Sequence, residues 1–142
     1  MSSKPETTFI ASVHRQLAKH SERPYYEKMN NPYRGGTPDV WYSGLLADIW
    51  VEYKFHPSVP QRGTVWLCKP DVKSPLLSVL QADWLRERYR EGRKVFVIVG
   101  CPTGGVLMRD LEWENPFPAK YFTSRIQTRA DLANWIACTT LG

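Results

Sequence analysis

The sequence predicts an α/β domain in which helices flank a mixed β-sheet. Three observations carry this expectation. Near the N-terminus Phe9, Ile10, Val13 and Leu17 recur at helical spacing on one face. DIWVEYKF alternates face by face as a strand does, and KVFVIVG is a continuous apolar run of strand length. The elements follow in the order helix, strands, helix, strands, helix. With 142 residues, 42% of them hydrophobic and 13% aromatic, the chain suffices for one compact domain over 1–142 with a real core.

The first helix is expected from about Pro5 to His20. YYEKMNNPYRGG then combines a short strand with a turn, because Asn30-Asn31-Pro32 and Gly35-Gly36 are strong breakers. Two strands follow, PDVWYS and DIWVEYKF, separated by a turn at Gly44. HPSVPQRGTVWLCKPDVKSP reads as a long, Pro-punctuated basic loop with a short strand around Thr64 to Leu67. A second helix is expected from Pro75 to Glu91, capped by Ser74 and stopped by Gly92, with Leu77, Leu80, Trp84, Leu85 and Tyr89 as its buried stripe. KVFVIVG turns at Pro102 to Gly105 and returns as VLMRDL, a hairpin. The stretch LEWENPFPAKYFTSRIQ reads as irregular, and TRADLANWIACTT as a last helix with Thr128 capping and Asp131 in its first turn.

No apolar run reaches the roughly 18 residues of a membrane span, and MSSKPETT lacks the apolar centre of a signal peptide. A cytoplasmic, non-secreted protein with no membrane partner is expected. Cys68, Cys101 and Cys138 are odd in number and widely spaced, which suits buried reduced thiols rather than disulfides or a zinc site. His14 and His20 lack partner spacing and read as surface or boundary residues. A net charge of +5 permits nucleic acid as partner. Arg34, Arg62, Lys69 and Lys73 fall in loop-like segments with Tyr33 and Trp66 among them, a mixture suited to phosphate contact and stacking, or simply to a solvated surface.

The chemistry concentrates in residues 36 to 55. Alternation puts Ile49, Val51, Tyr53 and Phe55 on one face of DIWVEYKF, and Asp48, Trp50, Glu52 and Lys54 on the other. If GLLA makes the strands an antiparallel hairpin, Ser43 faces Asp48, Trp41 faces Trp50 and Asp39 faces Glu52. Two carboxylates across a ladder repel unless a cation lies between them. Mg²⁺ or Mn²⁺ suits such hard oxygen ligands, with Lys54 beside it to orient water or stabilise developing charge on a phosphate. The alternative is that Lys54 merely neutralises two acids in a surface ladder.

Pro38-Asp39, twelve intervening residues and then Glu52-Tyr53-Lys54 resembles the active-site motif of the PD-(D/E)XK nuclease superfamily. The helix before it, and LSVLQADWLRERYREGRKVFVIVG after it, are similar to the virus-type replication-repair (VRR-NUC) branch and, less closely, to archaeal-type Holliday-junction resolvases. The resemblance covers about Glu6 to Gly100 and implies a restriction-endonuclease-like mixed sheet. It also implies Asp39 and Glu52 as metal ligands, the Tyr53 carbonyl as a third, and Lys54 as the catalytic lysine. Gln81 matches a Gln supporting such sites, though Ser78-x-x-Gln81 is equally a capping box. Glu6 matches a further metal-binding glutamate, or is an acid favourable at a helix start. His56, just beyond the strand, is a candidate for substrate contact. The function implied is a Mg²⁺- or Mn²⁺-dependent DNA endonuclease, selective for branched or junction DNA. A non-catalytic nucleic-acid binder and a ribonuclease are the alternatives. Resolving a junction would require a homodimer, for which Trp113, Phe117, Tyr121, Phe122 and Trp135 are available unless they complete the core.

Overall fold

Helix α1 (Lys4–Leu17) buries Phe9, Ile10, Val13, His14 and Leu17, the expected stripe plus one histidine. In this computed structural model residues 4–29 and 35–142 are described. Five strands, β1 (Tyr25–Lys28), β2 (Val40–Ser43), β3 (Asp48–Phe55), β5 (Val95–Cys101) and β6 (Gly104–Met108), form a sheet in the order β1-β2-β3-β5-β6. β1, β2 and β3 are antiparallel neighbours, β3 and β5 run parallel, and β5 and β6 make the expected hairpin. The sheet is therefore mixed. A parallel pair needs a crossover, and the segment between β3 and β5 supplies it with β4 (Thr64–Val65) and helix α2 (Val79–Arg90).

Side chains of opposite parity build two cores. On one face Val40, Tyr42, Ile49, Val51, Tyr53 and Ile98 pack against α1 and the last helix, α4 (Arg129–Leu141). On the other, Val95, Val97, Val99 and Cys101 pack against Leu77 and Leu85. β7 (Phe117–Pro118), which pairs with β4, and helix α3 (Ala119–Ser124) extend that second layer. The tail is thus ordered where irregularity was expected. Trp113, Phe117 and Phe122 are buried there, Trp135 packs on the first core, and only Tyr121 of that aromatic set stays exposed.

Three expectations need correction. α2 starts at Val79 with Ser78 as its cap, four residues after the Ser74 start. Leu77 N–H donates to the Leu67 carbonyl at 3.0 Å, which holds the preceding residues to the loop instead of the helix. Ala82 and Leu85 consequently form the buried face, and Leu80 is 62% exposed. His14 is buried, not superficial: its Nε2 meets Tyr42 Oη at 2.8 Å, and that hydroxyl meets Tyr53 Oη at 2.6 Å. Burial, with a smaller push from the Lys28 charge, lowers His14 to about 4, so its ring is neutral at pH 7. All three cysteines are free, but Cys101 alone is buried; Cys68 is half-buried and Cys138 exposed.

Gly100 shows how closely α1 sits on the sheet. A Cβ there would lie 2.7 Å from the Phe9 ring, inside contact distance. Gly100→Ala is expected to lower the unfolding free energy by about 1–3 kcal/mol, read as a reduced urea midpoint with an unchanged slope. No helix among the described residues is long and apolar enough to cross a membrane.

Candidate functional site

β2 and β3 pair in the register read from the sequence, Ser43 with Asp48 and Trp41 with Trp50, up to Val40 with Val51. Beyond that pair they part. Trp50 N–H donates to the Lys94 carbonyl and His56 N–H to that of Gly100, so even-numbered residues of β3 bond β5 and odd-numbered ones face β2. Tyr53 N–H therefore points into the fork, where Asp39 Oδ2 accepts it at 2.9 Å. The Asp39 carboxylate stands in for a ladder carbonyl. The Tyr53 carbonyl faces the same side of β3.

Glu52, one ladder step beyond the Val40–Val51 pair, is 1% exposed. Its two oxygens have different surroundings. Oε2 receives Lys54 Nζ at 3.2 Å and Gln81 Nε2 at 3.1 Å, while Oε1 is buried with no hydrogen-bond partner among the described residues. Burial pushes the Glu52 carboxyl up to about 8; the Asp39 charge adds to this, Lys54 opposes it, and Glu6 at the start of α1 adds a smaller push. Glu6, Asp39, Glu52 and Lys54 thus share one electrostatic environment. Because Glu52 and Lys54 are both buried, the reading of a surface ladder does not apply. A buried ion pair adds little stability, and one that leaves a carboxylate oxygen without a donor adds less.

Gln81 closes the capping box and also reaches Glu52. Ser78 Oγ accepts from Gln81 N–H at 3.1 Å and Gln81 Oε1 accepts from Ser78 N–H at 3.0 Å, a complete capping box, while Nε2 is left to serve Glu52. Gln81→Ala is expected to cost about 1 kcal/mol of stability through the cap. Gln81→Glu would keep the box and place a third acid against Glu52. Thermal melting of the two variants separates the roles, since the Glu variant should hurt the site more than the helix.

Among the described residues no three His, Cys, Asp or Glu side chains converge as a metal cage. Two carboxylates and a backbone carbonyl are nevertheless the donor set of Mg²⁺ or Mn²⁺, which keep water and substrate oxygens as their other ligands. The bare Oε1 of Glu52 fits that use.

The remaining expected residues are scattered or outside view. His56 follows β3 directly and its Nδ1 donates to the Ser58 carbonyl. Arg62, Lys69 and Lys73 are exposed along the loop between β3 and α2. Tyr33 and Arg34 lie outside the described residues. One feature beside the site went unforeseen as a unit: Tyr25, Trp41, Trp50 and Trp84 touch in series across the sheet. The Trp41–Trp50 pair was legible from the hairpin register, but Tyr25 and Trp84 come from elements whose placement is tertiary.

No protein-family model matches the chain, and no curated protein matches it. Among solved structures it is similar to Hjc, a Holliday junction resolvase from the archaeal hyperthermophile Archaeoglobus fulgidus, with 13% identity and a TM-score of 0.51. The match covers 90% of this chain and 99% of that one. The fold is resolvase-like. At this identity the likeness concerns architecture: a mixed five-stranded sheet flanked by helices, of the restriction-endonuclease-like kind.

Proposed function

We propose that the chain is a Mg²⁺- or Mn²⁺-dependent endonuclease of PD-(D/E)XK type that hydrolyses DNA phosphodiester bonds, with branched DNA as its preferred substrate. The observation that carries this reading is the divided Glu52 carboxylate, one oxygen held by Lys54 and Gln81 and the other buried without a hydrogen-bond partner among the described residues, beside the fork that Asp39 closes. Asp39, Glu52 Oε1 and the Tyr53 carbonyl would hold the ion, with Glu6 at its edge. Bound there, it would supply Lewis-acid polarisation of the scissile phosphate and a water of lowered pKa.

The chain's own groups do the rest. Gln81 fixes the Glu52 rotamer, and the Tyr53 amide fixes Asp39. Lys54 orients the attacking water and offsets charge developing on the phosphoryl oxygens. Water adds to phosphorus in line, the P–O3′ bond breaks, and the product keeps a 5′-phosphate. The likeness to a Holliday junction resolvase supports a junction substrate; two cuts in opposed strands would then take two copies of the chain.

Linear, nicked, single-stranded and four-way-junction DNA, with RNA of matching sequence, are to be incubated with Mg²⁺, Mn²⁺ or EDTA. Metal-dependent cutting with a preference for the junction is expected. Retention of every substrate without cutting in either metal would leave a non-catalytic binder, and cutting confined to RNA would leave a ribonuclease.

A further inference from the structure

Among the described residues, packing on the two cores accounts for only part of the aromatic row beside the candidate site. Tyr25 from β1 meets Trp41 from β2 edge-on at 5.8 Å, Trp41 meets Trp50 from β3 at 5.9 Å with planes 23° apart, and Trp50 meets Trp84 from α2 at 5.4 Å. The Arg88 guanidinium lies over Trp84 at 5.8 Å. Trp50 and Trp84 pack on the second core, but Trp41 belongs to neither core, and Tyr25 is 57% exposed. Side-chain parity sets Trp41 and Trp50 on the same face as Glu52 and Lys54. The Trp41–Trp50 pair is one same-face step from Asp39 and Glu52, about 7 Å along the strands, which is one or two nucleotide steps of a DNA strand.

We propose that Trp41, with Trp50 and Tyr25 beside it, is a stacking platform for unpaired bases of the DNA strand whose phosphate enters the fork, so that the substrate is single-stranded or frayed next to the cut. The proposal rests on the nuclease reading and deepens it. Base faces are available to an aromatic ring only when a strand is unpaired, and such stacking is indifferent to sequence. The two acids that flank the row are already engaged: Glu27 accepts from Tyr25 Oη at 2.6 Å, and Asp48 accepts from Ser43 Oγ at 2.6 Å and Trp41 Nε1 at 3.2 Å. Their charge keeps phosphates away from the row and turns bases toward it. The indole N–H bond fixes the Trp41 ring in advance, so little rotamer entropy is lost on stacking.

The test is equilibrium binding in EDTA, where no cutting occurs, of a fluorescein-labelled twelve-residue oligo-dT, an abasic deoxyribose-phosphate strand of equal length, and a blunt duplex. Oligo-dT should bind about tenfold or more tightly than the abasic strand. Trp41→Ala should erase that difference while leaving abasic binding unchanged, and Trp41→Phe should restore most of it. A melting curve run on each variant confirms folding. Equal binding of the oligo-dT and abasic strands, or a Trp41→Ala loss shared by both, would overturn the platform. So would sedimentation showing a wild-type dimer that Trp41→Ala converts to monomer, since the row would then be an interface between copies. Base-dependent binding without metal-dependent cutting would leave the platform standing and remove the nuclease reading; cutting without base-dependent binding would do the reverse.

Discussion

Lys54→Ala is expected to slow single-turnover cleavage by about a hundred- to ten-thousand-fold, with the fold intact. The residue is 8% exposed and its ammonium meets Glu52 Oε2 at 3.2 Å, so removal deletes the cation that the proposed mechanism places beside the phosphate without opening the main cores. Mg²⁺ binding by calorimetry should persist, and should tighten, because Lys54 competes electrostatically for the same carboxylate. Lys54→Arg is a poor substitute: its planar fork cannot present a compact ammonium in the same space. A Lys54→Ala protein that cuts at the wild-type rate would show that the lysine is only a counter-ion, and the mechanism would need a different water-handling group.

Glu52→Gln should abolish cutting and also make the metal-free protein less sensitive to pH. In the wild type the folded carboxyl titrates near 8 against a reference of 4.5, raised by burial, then by Asp39, with Lys54 opposing and Glu6 adding. Between those values the folded chain holds a proton that the unfolded chain has released, so the stability of the metal-free protein falls as pH rises through this window. Urea unfolding in EDTA at pH 5 and pH 8 should show that decline in the wild type and a smaller one in Glu52→Gln. Mg²⁺ must displace the same proton, so its apparent affinity for the wild type should climb with pH up to about 8. Identical pH slopes for the two proteins would mean that Glu52 is ionised and solvated, and the fork would lose its reason to attract a cation.

The site was legible where local pattern and global geometry agree. Alternation in DIWVEYKF and the turn at Gly44 fix the hairpin register, and the register alone brings Asp39 toward Glu52. The start of α2 is not legible because Ser74-Pro75 and Ser78-x-x-Gln81 are both acceptable starts, and the choice rests on a hydrogen bond from Leu77 to Leu67 that no local signal carries. The burial of His14 is not legible for a similar reason: its partner, Tyr42, is 28 residues away. The order in the tail comes from a two-residue pairing of β4 with β7, too short to leave a periodic trace.

Tyr53 is held at two points, its phenol on the α1 face by Tyr42 and through it His14, and its amide at the strand edge by Asp39. The position of Asp39 against β3 is accordingly linked, through Tyr53, to the packing of α1 on the sheet. Substitutions along the inner side of α1 are therefore expected to shift Tyr53, and Asp39 with it, in a chain whose acids and lysine are all unchanged.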